Sequence, residues 1–362
     1  MKNNEQISSG TTIKMLQLPH KVCEYACPSV GLEDMYEAKT GVRLPDYLVM
    51  DLSMLGFSYI RQKKAPTPKM VFWGNGTGKP QHQFLGDVMG YQWTMYEGGG
   101  YKPALQQVID YVEKDQPVIL GLLDMYHIPY FKGIYHRFHI PYHYVLMVGY
   151  DLDKEIIYVR DNSRAETMTI PLYDLKEAWN VNYPGLGKKN SYAVIGFNRQ
   201  PSDLETILRR GLKKRALWML NPPVRFMGLS GLRLLAGDFP GWDEQMAPDT
   251  FKACLEHLVM ATCSKVPNPP ARLMPGPDNI HDPHQAVRDR FSNMLDKYGG
   301  EFHEPNWRQA AEHLRNSGNL IGLLTDRVVD FILGDQQAFH AAAGLLPQIA
   351  DQEELAFQCL SQ

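Results

Sequence analysis

A histidine and an aspartate stand at the two ends of one predicted hairpin. An apolar run opens with His143, turns at Asp151–Lys154, and returns as a second apolar run that ends at Asp161. Alternating β-branched and aromatic residues around a polar turn are typical of a β-hairpin, which brings its outer ends together. A carboxylate beside an imidazole fixes the tautomer of the ring and stabilises its cation. The sequence therefore predicts the orienting half of a nucleophilic triad.

The best candidate for the nucleophile is Cys27. From Pro28 onward the apolar residues fall mostly on one helical face, and Gly41 is a natural end to that helix. Proline suits the first helical position, which places Cys27 at the N-cap. There the helix dipole and the unpaired N–H groups favour a thiolate and lower its pKa. Cys23, one turn earlier, is the fallback.

Polar and aromatic residues between the predicted strand 117–123 and His143 are candidates for the substrate pocket. Asp124 ends that strand, and we expect it to contact a substrate amine, to support the histidine-containing loop, or simply to cap the strand. We expect four further residues to line the pocket, namely Tyr126, Tyr130, His139 and Tyr142. The oxyanion of an acyl-transfer step would be held by the backbone N–H of Cys27 together with Gln17 or His20.

A metal site is the alternative use of the histidines in this loop. His136, His139 and His143 form an H-x-x-H-x-x-x-H pattern, and clustered imidazoles do bind zinc. Pro141 interrupts the pattern, so no single helix presents all three rings on one face, and no carboxylate or thiolate ligand lies close by in sequence. We therefore predict no metal and no other cofactor, with His136 on the surface.

The order of these groups, an early cysteine, a distant histidine opening a strand, and an aspartate ending the next, is the papain-like order. The segments 44–61 and 117–130 resemble the butirosin-biosynthesis BtrH N-terminal family, and the resemblance spans roughly residues 15–200. The helical remainder is similar to a domain of unknown function that often follows this module. The resemblance implies an α+β, papain-like cysteine peptidase or acyltransferase fold. It also implies a transferase of natural-product biosynthesis that moves an aminoacyl group from a carrier-protein thioester to an amine.

Composition narrows the class of protein. The chain has 362 residues, a hydrophobic content of 44% and a net charge of -3, which indicate a globular protein and argue against bulk binding of nucleic acid. Residues 1–14 lack an apolar core, and no apolar stretch is long enough to cross a bilayer, so we expect neither a secretory signal nor a membrane span. The five cysteines are scattered, which is typical of reduced thiols in the cytoplasm.

Strand signals stop after Pro201, and we expect a catalytic domain at residues 1–200 and a helical domain at 201–362. In the second domain, Asp351 and Glu354 resemble a capping box, so the last helix is expected to start there. We expect the apolar residues of the helical domain to pack on the first domain or on a second copy in a homodimer. The predicted helices cover 203–219, 247–263, 282–298, 305–317, 319–333 and 351–361.

A basic cluster on the first of these helices bears on the partner. Such a cluster is usually a solvated face, but it could also steer an acidic acyl carrier protein that delivers the acyl group, with a small-molecule amine as acceptor. Two other functions stay open: a cysteine amidase or peptidase of the same fold that acts on a small peptide-like substrate, and a non-catalytic binding module. The cluster comprises Arg209, Arg210, Lys213, Lys214 and Arg215.

Overall fold

The computed structural model describes residues 11–22, 29–73, 79–183, 187–262 and 287–362. The chain forms two compact units. The first contains Met1–Met50 and Thr77–Leu204, and the second contains Asp51–Gly76 and Glu205–Gln362. The first unit is mixed α and β, and the second is mainly helical, as the sequence predicted.

The first unit is built on an antiparallel sheet with the strand order β4-β9-β5-β6-β7-β8, and β1 pairs with the far end of β6. Every residue of β6 is buried, because the strand has neighbours on both sides and helices cover the sheet. The strands are β1 (Ile13–Met15), β4 (Tyr91–Tyr96), β5 (Val118–Leu123), β6 (His143–Asp151), β7 (Ile156–Arg160), β8 (Met168–Pro171) and β9 (Tyr192–Phe197). The helices are α1 (Leu32–Thr40), α2 (Leu48–Met54, which runs into the second unit), α3 (Lys79–Met89), α4 (Tyr101–Glu113) and α5 (Leu172–Ala178).

Helix α1 differs from its prediction at its start. It ends with Gly41 in the left-handed conformation, as expected, but its N-cap is Gly31 rather than Cys27. Gly31 has φ 72°, and a Cβ there would lie 2.4 Å from Cδ2 of Leu146 in β6. Only a glycine permits both this backbone conformation and this close approach, so the helix begins after it. Cys23 and Cys27 lie outside the described residues.

The second unit joins one hairpin to a set of helices. The hairpin pairs β2 (Ser58–Arg61) with β3 (Lys69–Phe72), and its Tyr59 and Lys69 both contact Asp238. This segment departs from the expected division near residue 200, since 51–76 belongs with the helices. The helices are α6 (Leu204–Leu220), α7 (Gly228–Asp238), α8 (Trp242–Gln245), α9 (Pro248–Thr262), α10 (Val287–Glu301), α11 (Pro305–Ile332) and α12 (Ala338–Ser361).

Two predicted helix boundaries in this unit are wrong. Helix α11 continues through Gly318, which is buried at its packing face, where two separate helices were expected. Helix α12 begins at Ala338, thirteen residues before the expected start at Asp351, and continues through Pro347. Asp351 and Glu354 do not cap it; both side chains pair with Arg233. Among the described helices, none is long and apolar enough to cross a membrane.

Candidate active site

The hairpin of β6 and β7 brings His143 and Asp161 together. His143 is the first residue of β6, and Asp161 directly follows β7, so the antiparallel pairing puts both at the same edge of the sheet. Nε2 of His143 lies 2.7 Å from Oδ2 of Asp161, and both residues are buried. The predicted approach of the two side chains is confirmed, whereas their catalytic role stays a prediction.

Asp161 is held as a carboxylate by its neighbours. Its Oδ2 also accepts a hydrogen bond of 2.7 Å from the Tyr130 hydroxyl, and its Oδ1 accepts from the backbone N–H and the hydroxyl of Ser163 at 3.0 and 2.9 Å. Burial on its own would raise the pKa of Asp161, but the charge and hydrogen bond of His143, with the other donors, hold it well below its usual range. A carboxylate at this position assigns a proton to Nε2 of His143, so in the neutral ring Nδ1 is the basic nitrogen.

An aromatic ring packs against the imidazole from the side, and an arginine packs on that aromatic ring. The Phe131 ring meets His143 edge to face, with centroids 5.2 Å apart and planes at 90°. The guanidinium of Arg164 lies 5.1 Å above the same Phe131 ring, a cation–π contact. Together with the hydrogen bond to Asp161, the contact with Phe131 fixes the orientation of the imidazole.

Asp124 supports the histidine-containing loop, one of its three expected roles. Its Oδ1 accepts from the backbone N–H groups of Tyr126 and Ile140 at 3.1 and 3.0 Å, and its Oδ2 lies 2.6 Å from Nδ1 of His139. These bonds tie the two ends of the loop to the end of β5. The carboxyl oxygens of Asp124 are thus engaged within the protein.

The residues that we expected to line the substrate pocket lie in two different environments in the structure. The Tyr126 ring stacks on His139 at a centroid distance of 4.1 Å, and the His139 side chain is 67% exposed. Tyr142 is also exposed, whereas the hydroxyl of Tyr130 points inward to Asp161 rather than to a pocket. Within the described part of the chain, no group of three His, Cys, Asp or Glu residues is placed to hold a metal ion.

The two expected oxyanion donors lie in different surroundings. Gln17 is exposed. His20 is engaged through both ring nitrogens: Nδ1 lies 2.6 Å from Oδ2 of Asp34, and Nε2 lies 2.7 Å from the carbonyl oxygen of Arg164. In this arrangement His20 links α1 to the turn after Asp161 and has no ring N–H directed to a substrate oxygen.

A pocket lies beside this turn at the start of α1. Its lining includes His20, Ser29, Glu33, Asp34, Arg43 and Asn162. Asn162 directly follows Asp161, so the pocket adjoins the histidine–aspartate pair. Burial raises the pKa of Glu33 to about 7, although Arg43 acts to lower it.

The described cysteines offer no competing nucleophile. Cys254 is buried and Cys359 is half-buried, both in the second unit. Burial raises the pKa of each thiol, which lowers the fraction of thiolate at neutral pH.

Sequence reasoning missed the roles of Ser163 and Glu33. Ser163 stands two residues after Asp161, the spacing at which an aspartate oxygen accepts a backbone N–H in a turn, so this signal was available. Glu33 gave no signal, because a glutamate in the first turn of a helix is the usual complement to the helix dipole.

Comparison with known families agrees with the resemblance seen in the sequence. Residues 26–162 match the family described as butirosin biosynthesis protein H, N-terminal. Residues 173–263 match the family described as domain of unknown function (DUF4872). No curated protein matches the chain. The match to the butirosin biosynthesis protein H N-terminal family includes both His143 and Asp161, and the match to a domain of unknown function follows it along the chain.

Proposed function

We propose that the chain is a cysteine-dependent acyltransferase of natural-product biosynthesis with a papain-like catalytic domain. Cys27 is the nucleophile, His143 the base and Asp161 the residue that orients His143. The observation that carries the proposal is the buried bond from His143 to an ionised Asp161 in a domain of this biosynthetic family. The cytoplasm, where thiols stay reduced, suits this chemistry.

The reaction proceeds in two steps. The Cys27 thiol gives its proton to Nδ1 of His143, and the thiolate attacks the carbonyl carbon of a donor thioester. A new carbon–sulfur bond forms at Cys27, and the donor thiol leaves with the proton from His143. An amine then attacks the acyl-cysteine and loses a proton to His143, and Cys27 is released as the thiol. Asp161 stabilises the imidazolium in both steps.

An acyl carrier protein is the proposed source of the thioester. Of the basic cluster, Arg215 is buried and bonds to the carbonyl of Leu52, and Arg209 pairs with Glu205 and Glu304. Arg210, Lys213 and Lys214 are exposed on α6, where their positive charge would attract an acidic carrier.

Reversing the charge of Arg210 and Lys214 should raise the KM for a carrier-bound donor several-fold and leave the KM for a small thioester unchanged. The matched control is Lys252→Glu, an exposed lysine on α9. Equal effects on both donors would remove the carrier from the proposal and leave the acyl transfer standing.

Intact-protein mass spectrometry after exposure to a small acyl thioester tests the acyl transfer. We expect one acyl adduct that Cys27→Ala abolishes and Cys359→Ala retains. An adduct that is lost in Cys23→Ala instead moves the nucleophile to Cys23. Adding an amine should convert the adduct to an amide. Release of the free acid alone would make the protein a hydrolase rather than a transferase, and no adduct on either cysteine would contradict the proposal.

A further inference from the structure

The pocket at the start of α1 contains a buried carboxylate with an unused oxygen. Glu33 lies in the first turn of α1 and is only 7% exposed. Its Oε2 lies 3.6 Å from Nη2 of Arg43, while its Oε1 is buried and has no hydrogen-bond partner among the described residues. A buried carboxyl oxygen without a donor is costly, so this atom suits a ligand that brings one.

The nearby positive charges are already shared among other acids. Nη1 of Arg43 lies 2.8 Å from Asp34 and 3.0 Å from Glu37. His20 contacts Asp34 as well, and Lys21 pairs with Asp46. Of these positive charges, only Arg43 reaches Glu33, through the long contact, and Asp34 and Asp46 add negative charge around it. The backbone N–H of Val49 also donates to the Glu33 carboxylate, but Oε1 is still without a donor.

We propose that this pocket binds the protonated primary amine of the acceptor, with Oε1 of Glu33 accepting a hydrogen bond from the ammonium group. The ammonium gives one proton to the Glu33 carboxylate, which passes it to solvent, and the neutral amine then attacks the acyl-cysteine. An ammonium is compact and carries three donors, and it supplies the positive charge that Glu33 lacks. The identification of this amine with the acceptor rests on the proposed function. The binding of an ammonium group does not.

Binding of the ammonium requires the ionised form of Glu33. Since burial raises the pKa of Glu33 to about 7, the carboxyl is mostly protonated at pH 6 and mostly ionised at pH 8. The affinity should follow the ionised fraction, which rises about tenfold between these two pH values. Burial sets the pKa of Glu33 together with Arg43, Asp34, Asp46 and the backbone N–H of Val49. The other charged or titratable groups near the pocket are His20, Lys21 and Glu37.

The test is an NMR titration of the intact, unacylated protein with n-propylammonium, which stays protonated across this range. The signal is the Glu33 side-chain carboxyl, labelled with ¹³C and assigned through Glu33→Gln. We expect the affinity to be about tenfold higher at pH 8 than at pH 6. Neutral 1-propanol should not bind, and tetramethylammonium, which has charge but no donor, should bind much more weakly.

The matched variant is Glu37→Gln, because Glu37 also contacts Arg43 but does not line the pocket. It should keep the pH-dependent binding that Glu33→Gln loses. Failure of n-propylammonium to move the Glu33 signal at pH 8, which a pocket filled only by water would give, overturns the inference. So does equal binding at both pH values. Acylation of Cys27 without ammonium binding refutes the subsite alone, and binding without acylation refutes the proposed function alone.

Discussion

At the residue scale, the carboxyl of Asp161 is bonded by side chains from three parts of the first unit. The loop after β5 contributes Tyr130, β6 contributes His143, and the turn after β7 contributes Ser163. The sequence pattern predicted His143 and Asp161, because strand ends carry their own periodic signal. It placed Tyr130 in a pocket wall, since the direction of a loop side chain depends on contacts distant in sequence.

Acid should unfold the protein partly through Asp161. Its pKa in the folded state lies below the value of about 3.9 in an unfolded chain, so between the two values the unfolded state binds more protons. The contribution of Asp161 to stability is complete above the unfolded value and is lost as pH falls through the folded value. Urea unfolding midpoints at several pH values should show a shallower acid loss in Asp161→Asn than in the wild type. The exposed Asp153→Asn should follow the wild type, and parallel profiles for all three proteins would argue against the ionised carboxylate.

Tyr130→Phe removes a hydrogen bond to a buried charge and changes little else. We expect a loss of about 1.5–3 kcal/mol in the free energy of unfolding, measured by urea denaturation. The control is Tyr135→Phe, whose hydroxyl makes long contacts of 3.3 and 3.5 Å with the oxygens of Asp174 and also contacts Tyr173. This substitution should cost less than about 0.5 kcal/mol. Equal losses in the free energy of unfolding of the two variants would show that the hydrogen bond to Asp161 contributes no more to stability than the contacts of Tyr135.

At the scale of elements, the sequence predicts helices and strands that have a clear periodic pattern. It does not predict the ends of elements that depend on contacts with residues far away in sequence. An apolar stripe and the glycine turn before it, both local signals, predict a helix at Tyr101–Glu113, and the structure has α4 at these bounds. Helix α11 runs through Gly318 because the glycine lies buried at its packing face, a tertiary effect that outweighs its poor helix propensity. The start of α1 depends on Leu146, more than a hundred residues away.

Gly31→Ala should test that dependence. The new methyl group would approach Leu146, which is buried in β6, and would also occupy a left-handed conformation. We expect a loss of about 2–4 kcal/mol in the free energy of unfolding, from overpacking and backbone strain together. Gly41→Ala has the same backbone conformation with no atom within 4 Å, and should cost only about 1 kcal/mol. Similar losses in the free energy of unfolding for the two variants would mean that Leu146 moves to accommodate the methyl group.

At the scale of the whole molecule, each unit is formed by two separate segments of the chain. Residues 51–76 lie between segments of the first unit but belong to the second, where Lys69 and Tyr59 meet Asp238. Composition and strand signals predicted a change near residue 200 because helices dominate from there on. The sequence does not show that the hairpin belongs with helices far along the chain, because its strands have the same residue pattern as the strands of the first unit.

The ion pair between Arg288 and Glu353 is fully buried in the second unit, and we expect it to matter strongly for stability. Arg288 and Glu353 form two bonds of 2.8 and 2.9 Å, and Ser317 adds a third to Glu353. Glu353→Gln should cost about 3–5 kcal/mol in the free energy of unfolding, because it leaves a buried guanidinium uncompensated. Its neighbour Glu354 pairs with Arg233 at the surface, and Glu354→Gln should cost less than about 1 kcal/mol. Thermal and urea denaturation should agree on this order, and the reverse order would contradict it.

The coupling of Cys27 to His143 is tested most directly by the rate of Cys27 alkylation with iodoacetamide as a function of pH, followed by intact mass. An ordinary thiol becomes reactive near its pKa of about 8.5. We predict that Cys27 reacts well below that pH in the wild type, and that His143→Ala returns its profile to that of an ordinary thiol. A profile with a midpoint near 8.5 that is unchanged by His143→Ala would contradict the proposed active site.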